Sequence, residues 1–205
     1  MTVADSSRRG GATREIIFQA ALAEFGSFGY RRSSMDSVSR RAGISRATLY
    51  LHWNGKQQLF RALVEQLHEQ HLASMRAVLD DPPPALDARL TAILRARFER
   101  FVELTSASSN AAELYDVHDR ICGDIARTAD DRAVSLVVQF LHEARDEHLI
   151  DLSASGLTID QAATALLDCA HVAKGDDPSG ATPADFNDRI ARLISLTING
   201  LAPRG

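Results

Sequence analysis

Apolar side chains recur at intervals of three and four residues along almost the whole chain, and this spacing constrains the fold more than any other feature. Near the start they lie at Ile17, Ala21, Phe25 and Phe28, and similar spacing returns in the later segments. Such spacing places the apolar side chains on one face of a helix. No segment alternates apolar and polar residues over the length of a strand. The sequence therefore predicts an all-α protein.

Segments rich in glycine or proline interrupt this pattern and indicate where helices end. Residues 80–84 hold two aspartates and three prolines, which stop a helix because proline lacks the backbone N–H and clashes with the preceding turn. Further breaks are expected at residues 26–32, 43, 54–55, 106–110, 123, 153–156 and 175–183. About nine helices follow from these breaks. We expect an N-terminal domain at residues 1–55, with an unstructured start over about residues 1–10, and a helical C-terminal domain at residues 56–205.

Composition narrows the class of protein. The chain has 205 residues, and no apolar run approaches the roughly 20 residues needed to cross a bilayer. The first ten residues are polar and lack the apolar core of a secretory signal. Cys122 and Cys169 form neither a metal-binding pair nor a disulfide framework. We therefore expect a cytoplasmic protein with no membrane association.

Charge is distributed unevenly along the chain. Up to Lys56 there are nine basic and four acidic residues, a balance of +5, whereas the remaining residues carry −9. A basic segment on an acidic body favours contact with a polyanion such as a nucleic acid. Chance clustering on a solvated surface is the alternative that charge alone leaves open.

Residues 34–53 have the pattern of a helix-turn-helix. Ser34 and Ser45 each precede a short helical segment, where a hydroxyl accepts a hydrogen bond from a free backbone N–H. Gly43 lies between the two segments, where the chain must turn tightly, with a positive φ open to it. Two short helices joined by a glycine-containing turn are typical of a DNA-binding motif whose second helix enters the major groove.

The first turn of the second helix carries side chains that can read bases. Arg46 can donate two hydrogen bonds to guanine or one to a phosphate, and Thr48 can offer its hydroxyl to a base or its methyl group to thymine. Ala47 is small enough to let the backbone approach the groove. Tyr50 and His52 carry polar groups suited to phosphate oxygens. A phosphate site is also expected at Lys56, at the start of the next helix.

Over roughly Ile16 to Leu63 the sequence resembles the TetR family of bacterial transcriptional regulators. The ordered residues that carry the resemblance are Ile17, Ala21, Phe25, Gly29-Tyr30, Ser34, Val38-Ser39, Ala42-Gly43-Ile44-Ser45, Thr48-Leu49-Tyr50, Trp53, Lys56 and Leu59-Phe60. Departures are Ser39 where the family commonly has Ala, Ala47 where Gly is common, Gly55 where a capping Ser is common, and Gln57 where Glu is common. With the caps included, we predict a DNA-binding set of Ser34, Ser45, Arg46, Ala47, Thr48, Tyr50, His52 and Lys56.

The resemblance also implies a homodimer that binds a small-molecule effector in its C-terminal domain. The last two helices would form a four-helix bundle with the partner, and the predicted interface residues are Leu166, Ala170, Leu193, Ile194, Thr197 and Ile198. Predicted effector contacts are Phe98, Phe101, Leu104, Tyr115, His118 and Phe140. An ordinary intramolecular core is the alternative for both sets. Arginines at positions 95, 97 and 100 could attract an acidic ligand, and a solvated helix face explains them equally well.

No catalytic, metal or cofactor site is predicted. The segment His68-Glu69-Gln70-His71 is one residue short of a zinc protease motif, and its histidines are expected at the surface. The sequence thus favours a repressor that an effector releases from a palindromic double-stranded DNA operator. Two rivals remain at this stage, a helical ligand carrier or enzyme whose helix-turn-helix does not bind DNA, and a module that binds protein.

Overall fold

The structure is a computed structural model that describes residues 3–153, 155–174 and 182–201, with side chains described from residue 11 to residue 197 within those ranges. Eight α-helices account for most of these residues and no strand occurs among them, so the predicted all-α class is confirmed there. The helices are α1 (Val3–Arg32), α2 (Met35–Ala42), α3 (Arg46–His52), α4 (Lys56–Asp80), α5 (Leu86–Ser106), α6 (Ala111–Asp146), α7 (Ile159–Lys174) and α8 (Pro183–Leu201).

Most of the predicted breaks fall between these helices, and two do not. The break expected at residues 26–32 lies inside α1, which continues to Arg32 with a non-helical φ/ψ at Gly29. The break expected at Gly123 is wrong, because α6 continues through this residue, and eight helices are described instead of about nine. An isolated glycine costs a helix only about 1 kcal/mol relative to alanine. Val117, Ile121 and Ile125, each four residues apart, pack into the first core on both sides of Gly123, and their packing outweighs that cost. Most of the break expected at residues 175–183 lies outside the described residues.

The chain divides into two compact units. The first unit consists of Met1–Leu67 together with Ala107–Ile125, and the second unit of His68–Ser106 together with Ala126–Gly205. The first unit extends beyond residue 55 because Leu59, Phe60 and Leu63 of α4 are buried in its core. Helices α4 and α6 each begin in the first unit and end in the second. A functional domain boundary at residue 55 stays a prediction.

Each unit has its own apolar core. In the first unit Phe18, Phe25, Val38 and Leu49 are almost completely buried, so the helix-turn-helix rests on α1 and the start of α4. In the second unit the core is formed mainly by α5, α6, α7 and α8, with large contributions from Leu90, Phe140 and Phe186. None of the helices within the described ranges is both long enough and apolar enough to cross a membrane.

Candidate nucleic-acid interface

Helix α2 begins at a reciprocal cap. Ser34 has an extended backbone, and its hydroxyl accepts a hydrogen bond from the backbone N–H of Ser37 at 3.1 Å. The Ser37 hydroxyl in turn accepts one from the backbone N–H of Ser34 at 2.9 Å. Two N–H groups that a helix start leaves free are thereby satisfied. The capping role predicted for Ser34 is confirmed.

The turn after α2 requires a glycine. Gly43 has φ 67° and ψ 28°, the left-handed conformation that side chains with a Cβ rarely adopt. Its N–H donates to the carbonyl oxygen of Arg40, and the N–H of Ile44 donates to that of Ser39. These bonds close α2 and set the direction in which α3 leaves. The positive φ suggested from the sequence is therefore present.

Helix α3 is anchored on one face and open on the other. Ser45 accepts the backbone N–H of Thr48 at 3.0 Å, so its predicted capping role is also confirmed. Leu49 is completely buried and fixes the helix to the first unit. The exposed residues of the helix are Arg46, Ala47, Tyr50, Leu51 and His52. A short helix that is capped at its start and anchored by one buried leucine exposes its other side chains to a binding partner.

Two side chains of α3, Arg46 and Thr48, already have intramolecular partners. Nε of Arg46 lies 2.5 Å from Oδ1 of Asp36 on α2, and both side chains remain largely exposed. The Thr48 hydroxyl shares a 2.7 Å hydrogen bond with that of Ser45. An exposed ion pair is weak because water and salt screen it. Arg46 can therefore exchange Asp36 for another acceptor at low cost.

Leu51 is a candidate contact that the sequence reasoning missed. Its side chain is 84% exposed on α3, beside Tyr50. The signal was available, because Leu49 and Leu51 are two positions apart and cannot both face the core of one helix. An exposed leucine on such a helix is suited to apolar contact with a thymine methyl group.

Lys56 has a local structural role in addition to the predicted one. Its ammonium donates to the carbonyl oxygens of Tyr30 at 2.7 Å and Ser33 at 2.9 Å, and lies 4.3 Å from the centre of the Tyr30 ring. Burial lowers the pKa of this lysine. The side chain thus satisfies carbonyl groups at the end of α1. A phosphate contact by Lys56 stays a prediction.

The start of α6 also fixes the end of α1. Ser108 and Asn110 donate to the carbonyl oxygen of Gly26 at 2.8 and 3.1 Å. Oε1 of Glu113 accepts the backbone N–H of Arg31 at 2.7 Å. Gly29 has φ 77° and ψ 164°, and a Cβ there would lie 2.3 Å from Oε2 of Glu113. The segment that leads into the helix-turn-helix is therefore fixed by residues about 80 positions later.

The six predicted effector contacts do not form one cluster. Tyr115 and His118 belong to the first unit, whereas the other four belong to the second. Phe98 and Phe140 are buried in the second core, and the Phe101 ring lies 4.5 Å from the Lys174 ammonium. A cavity of about 520 Å³ opens elsewhere in the second unit, between α4 and α5, and none of the six lines it. Their contact with an effector stays a prediction.

The predicted dimer residues are partly used by the second core. Leu166, Ala170 and Ile194 are at most 4% exposed within one chain, which leaves little side-chain surface for a partner. Leu193 and Thr197 are half-buried, and the Ile198 side chain lies outside the described residues. Large exposed apolar side chains on these two helices are instead Val172 and Leu196, each 73% exposed. The dimer interface stays a prediction.

The histidine pair on α4 differs from expectation. His71 is only 5% exposed, so its predicted surface position is wrong. The reason is the spacing of α4, in which His71 falls beside buried Leu72 and Met75. The rings of His68 and His71 are 6.1 Å apart. Within the described part of the chain no group of three potential metal-ligating side chains is found.

Comparison with known proteins links this geometry to a family. Residues 17–63 match the family described as bacterial regulatory proteins, tetR family. Over 59 residues the chain is 37% identical to the HTH-type transcriptional regulator TtgR of Pseudomonas putida, a match that covers 29% of this chain and 28% of TtgR. It is 23% identical over 211 residues to the HTH-type transcriptional regulator RutR of Escherichia coli K12, covering 99% of this chain and 97% of RutR.

A solved structure shows the same fold. SmeT, the repressor of the Stenotrophomonas maltophilia multidrug efflux pump SmeDEF, has a TM-score of 0.67 and 20% identity, covering 94% of this chain and 91% of SmeT. The capped helix-turn-helix lies within the segment that matches the family description. Residues 17–63 of this chain therefore match the tetR family of bacterial regulatory proteins, and the chain shares the fold of the repressor SmeT.

Proposed function

We propose that this protein is a DNA-binding transcriptional repressor that a small-molecule effector releases from its operator. The observation that carries the proposal is the two-sided character of α3. Leu49 anchors one face in the core, and the other face exposes Arg46, Tyr50 and His52 to a partner. A helix with these properties after a fixed turn matches the way helix-turn-helix proteins enter the major groove.

The exposed residues divide by the part of DNA that each can reach. Arg46 and Thr48 lie in the first turn of α3, where side chains meet base edges, and Leu51 adds an apolar contact. Tyr50 and His52 are suited to phosphate oxygens, which position the protein without reading sequence. Ser34 and Ser45 support the interface through their caps, and Ala47 keeps the approach of the backbone free.

The relatives support regulation by a ligand. RutR, which this chain matches along almost its whole length, is named as a transcriptional regulator. SmeT is described as a repressor, and its fold has also been solved as a complex with triclosan. We infer the same organisation here, with an operator-binding first unit and an effector-binding second unit. No catalytic step is proposed.

Two copies of the chain would read the operator. Two-fold symmetry of a dimer imposes a palindrome, with half-sites on one face of the duplex. Helices α4 and α6 both hold the end of α1, through Lys56 and Glu113, and both continue into the second unit. An effector that binds one dimer geometry more tightly than the other would shift the population away from the operator-binding state.

The proposal is tested with the full-length chain and a library of randomised duplexes. Selected duplexes should contain a palindrome, and their affinity should fall steeply with salt because phosphate contacts release counterions. We expect Arg46→Ala to cost roughly 1–3 kcal/mol on the selected site and to relax base preference at one position of each half-site. Tyr50→Phe should instead weaken binding to all duplexes and leave the salt slope unchanged, because the Tyr50 hydroxyl is uncharged and releases no counterion. Fluorescence anisotropy at several salt concentrations measures both.

A control separates these effects from a general loss of positive charge. Arg127 is exposed on α6 in the second unit, and Arg127→Ala should leave affinity and base preference unchanged. If the chain is folded and still binds small molecules but selects no duplex from the library, the rival interpretation of a helical ligand-binding protein is favoured.

A further inference from the structure

The cavity between α4 and α5 has the size and character of a small-molecule site. Its volume of about 520 Å³ is within the range of roughly 300–1,000 Å³ typical of ligand pockets. All the residues that line it belong to the second unit. The lining consists of apolar Val78, Ala92 and Ala96, uncharged polar Gln70, His71 and Ser74, and charged Arg95, Glu99, Arg100 and Glu103.

His71 is the least satisfied side chain of this cavity. It is 5% exposed, and neither of its ring nitrogens has a hydrogen-bond partner within the protein. A buried polar group without a partner costs about 1–3 kcal/mol. Such groups are uncommon in native proteins, and one that lines a cavity is placed to bind a ligand.

A second polar group of the cavity is also unsatisfied. Nε of Arg95 is buried and has no acceptor, although Nη2 of the same guanidinium pairs with Glu99 at 2.5 Å. A neutral imidazole contributes one N–H donor and one acceptor, and the Arg95 Nε–H contributes another donor. The cavity therefore offers two buried donors to an oxygen acceptor.

The charged side chains around His71 are paired with one another. Arg97 pairs with Asp130 at 2.5 Å and Arg100 with Glu103 at 2.9 Å, and Glu99 and Glu103 line the cavity together with Arg95 and Arg100. Burial lowers the pKa of His71 to about 3, and the charge of Arg97 acts in the same direction, so the imidazole is neutral at neutral pH. The unpaired buried donors of the cavity are therefore the ring N–H of His71 and Nε–H of Arg95.

The remaining lining restricts the rest of the ligand. Val78, Ala92 and Ala96 offer apolar surface, on which a second charged group of the ligand would lose its hydration. A carboxylate has one oxygen for each of the two unpaired donors, and an apolar body packs against the apolar part of the lining.

We propose that the α4–α5 cavity binds a small organic monocarboxylate, whose oxygens accept hydrogen bonds from the ring N–H of His71 and from Nε–H of Arg95. This inference rests on the proposed function, since it names the class of effector that the second unit would bind. Acid binding to the cavity is measured without DNA, so this inference and the proposed function can fail separately.

The test uses the full chain and four acids with their neutral amides, namely benzoate, phenylacetate, hexanoate and octanoate. Isothermal titration calorimetry measures affinity, and NMR of ¹⁵N-histidine-labelled protein reports on the imidazole of His71. We expect at least one acid to bind with one site per chain and to shift the His71 signal. Its amide should bind about tenfold more weakly or worse, because a charge-assisted hydrogen bond is lost.

Substitution at His71 separates a binding role from a packing role. His71→Leu should lose tenfold or more in acid affinity while its unfolding temperature rises, because an unsatisfied group is replaced by an apolar one. His71→Gln keeps a donor and should retain more of the affinity than His71→Leu. The exposed histidine of α6 supplies the matched control, and His142→Leu should leave acid binding unchanged.

Three results would overturn the inference. The first is equal affinity of an acid and its amide, and the second is unchanged acid affinity in both His71 variants. The third is no response of the His71 signal to any of the four acids, which would indicate that only water contacts the ring. If His71→Leu does not fold, the wild-type amide comparison and His71→Gln decide the question. An acid that binds as expected but leaves DNA affinity unchanged supports the ligand class and contradicts effector-controlled release.

Discussion

The two units differ in whether their polar side chains have hydrogen-bond or ion-pair partners. In the first unit, polar side chains close to the helix-turn-helix bind backbone groups or opposite charges, as in the caps by Ser34 and Ser45 and the contact of Lys56 with α1. In the second unit several are left without partners. Among the described residues, every buried side-chain N or O atom without a hydrogen-bond partner lies there, on His71, Arg95, Arg97 and Asn187.

This difference matches the two tasks that we propose for the units, DNA binding by the first and effector binding by the second. A side chain that reads a base must be held in place before DNA arrives, since a loose helix would have to be ordered at the expense of affinity. A cavity that binds a ligand must instead leave donors unused until the ligand supplies an acceptor. The first unit thus places its hydrogen bonds where they fix α3, whereas the second unit retains a cost in stability at His71 that a ligand can remove.

A pair of glycine substitutions in α1 is the strongest test of whether the end of this helix is fixed within the first unit. Gly29 has a backbone conformation that is almost restricted to glycine, and its Cβ would displace Glu113. We expect Gly29→Ala to lower the free energy of unfolding by about 2–3 kcal/mol. Denaturant unfolding monitored by circular dichroism measures the change.

Gly26 is the matched control, three positions earlier in the same helix. A Cβ there would meet no atom within 4 Å, and alanine suits a helix better than glycine. Gly26→Ala should therefore raise the free energy of unfolding by up to about 1 kcal/mol. Equal effects of the two substitutions would mean that the end of α1 is not tightly fixed, and the contrast between the units would be lost.

The second prediction concerns pH and the unsatisfied imidazole. The pKa of His71 falls from 6.5 to about 3 on folding, so between these values the unfolded chain binds one proton more than the folded chain. The contribution of neutral His71 to the free energy of unfolding is therefore fully present above pH 6.5 and is lost as the pH falls below this value. From pH 7 to pH 5 the loss should be about 2 kcal/mol.

The measurement compares denaturant unfolding of the wild type and His71→Leu at both pH values. His71→Leu should lose about 2 kcal/mol less than the wild type over this interval, because leucine binds no proton. His142→Leu serves as the control and should follow the wild type. Parallel pH dependence in all three proteins would show that His71 is already solvated or hydrogen-bonded, and the second unit would then resemble the first.

The sequence predicted the first unit far better than the second, for a physical reason. A helix cap joins residues three positions apart, and a glycine turn is set by one residue, so Ser34, Gly43 and Ser45 could be identified from local pattern. The contact of Glu113 with Arg31 joins residues 82 positions apart, and no local pattern announces it.

The same limit applies to the cavity and to the effector residues. The six predicted contacts were chosen as aromatic, apolar or polar side chains of central helices, and such residues also build cores, as Phe98 and Phe140 do. Whether His71 faces a cavity depends on how α4 packs against α5, which the spacing within either helix does not determine. Burial of a polar side chain without a partner is visible only in three dimensions.

The smallest expected effect concerns the exposed ion pair between Arg46 on α3 and Asp36 on α2. Both side chains are largely exposed, so Asp36→Asn should leave the free energy of unfolding almost unchanged. It removes a negative charge near the DNA backbone and releases Arg46. We expect affinity for a selected duplex to rise roughly two- to fivefold at low salt, and the gain to shrink as salt increases.

Anisotropy titrations across salt concentrations measure this gain, with Asp131→Asn on the exposed surface of the second unit as the control for net charge. The direction of the result is informative. If Asp36→Asn binds DNA more weakly than the wild type, Asp36 must position Arg46 for its base contact. The ion pair would then fix the side chain of Arg46 before DNA binds, even though both of its partners are largely exposed. If binding strengthens, Arg46 is the mobile part of an otherwise fixed helix, and Asp36 competes with DNA for its guanidinium.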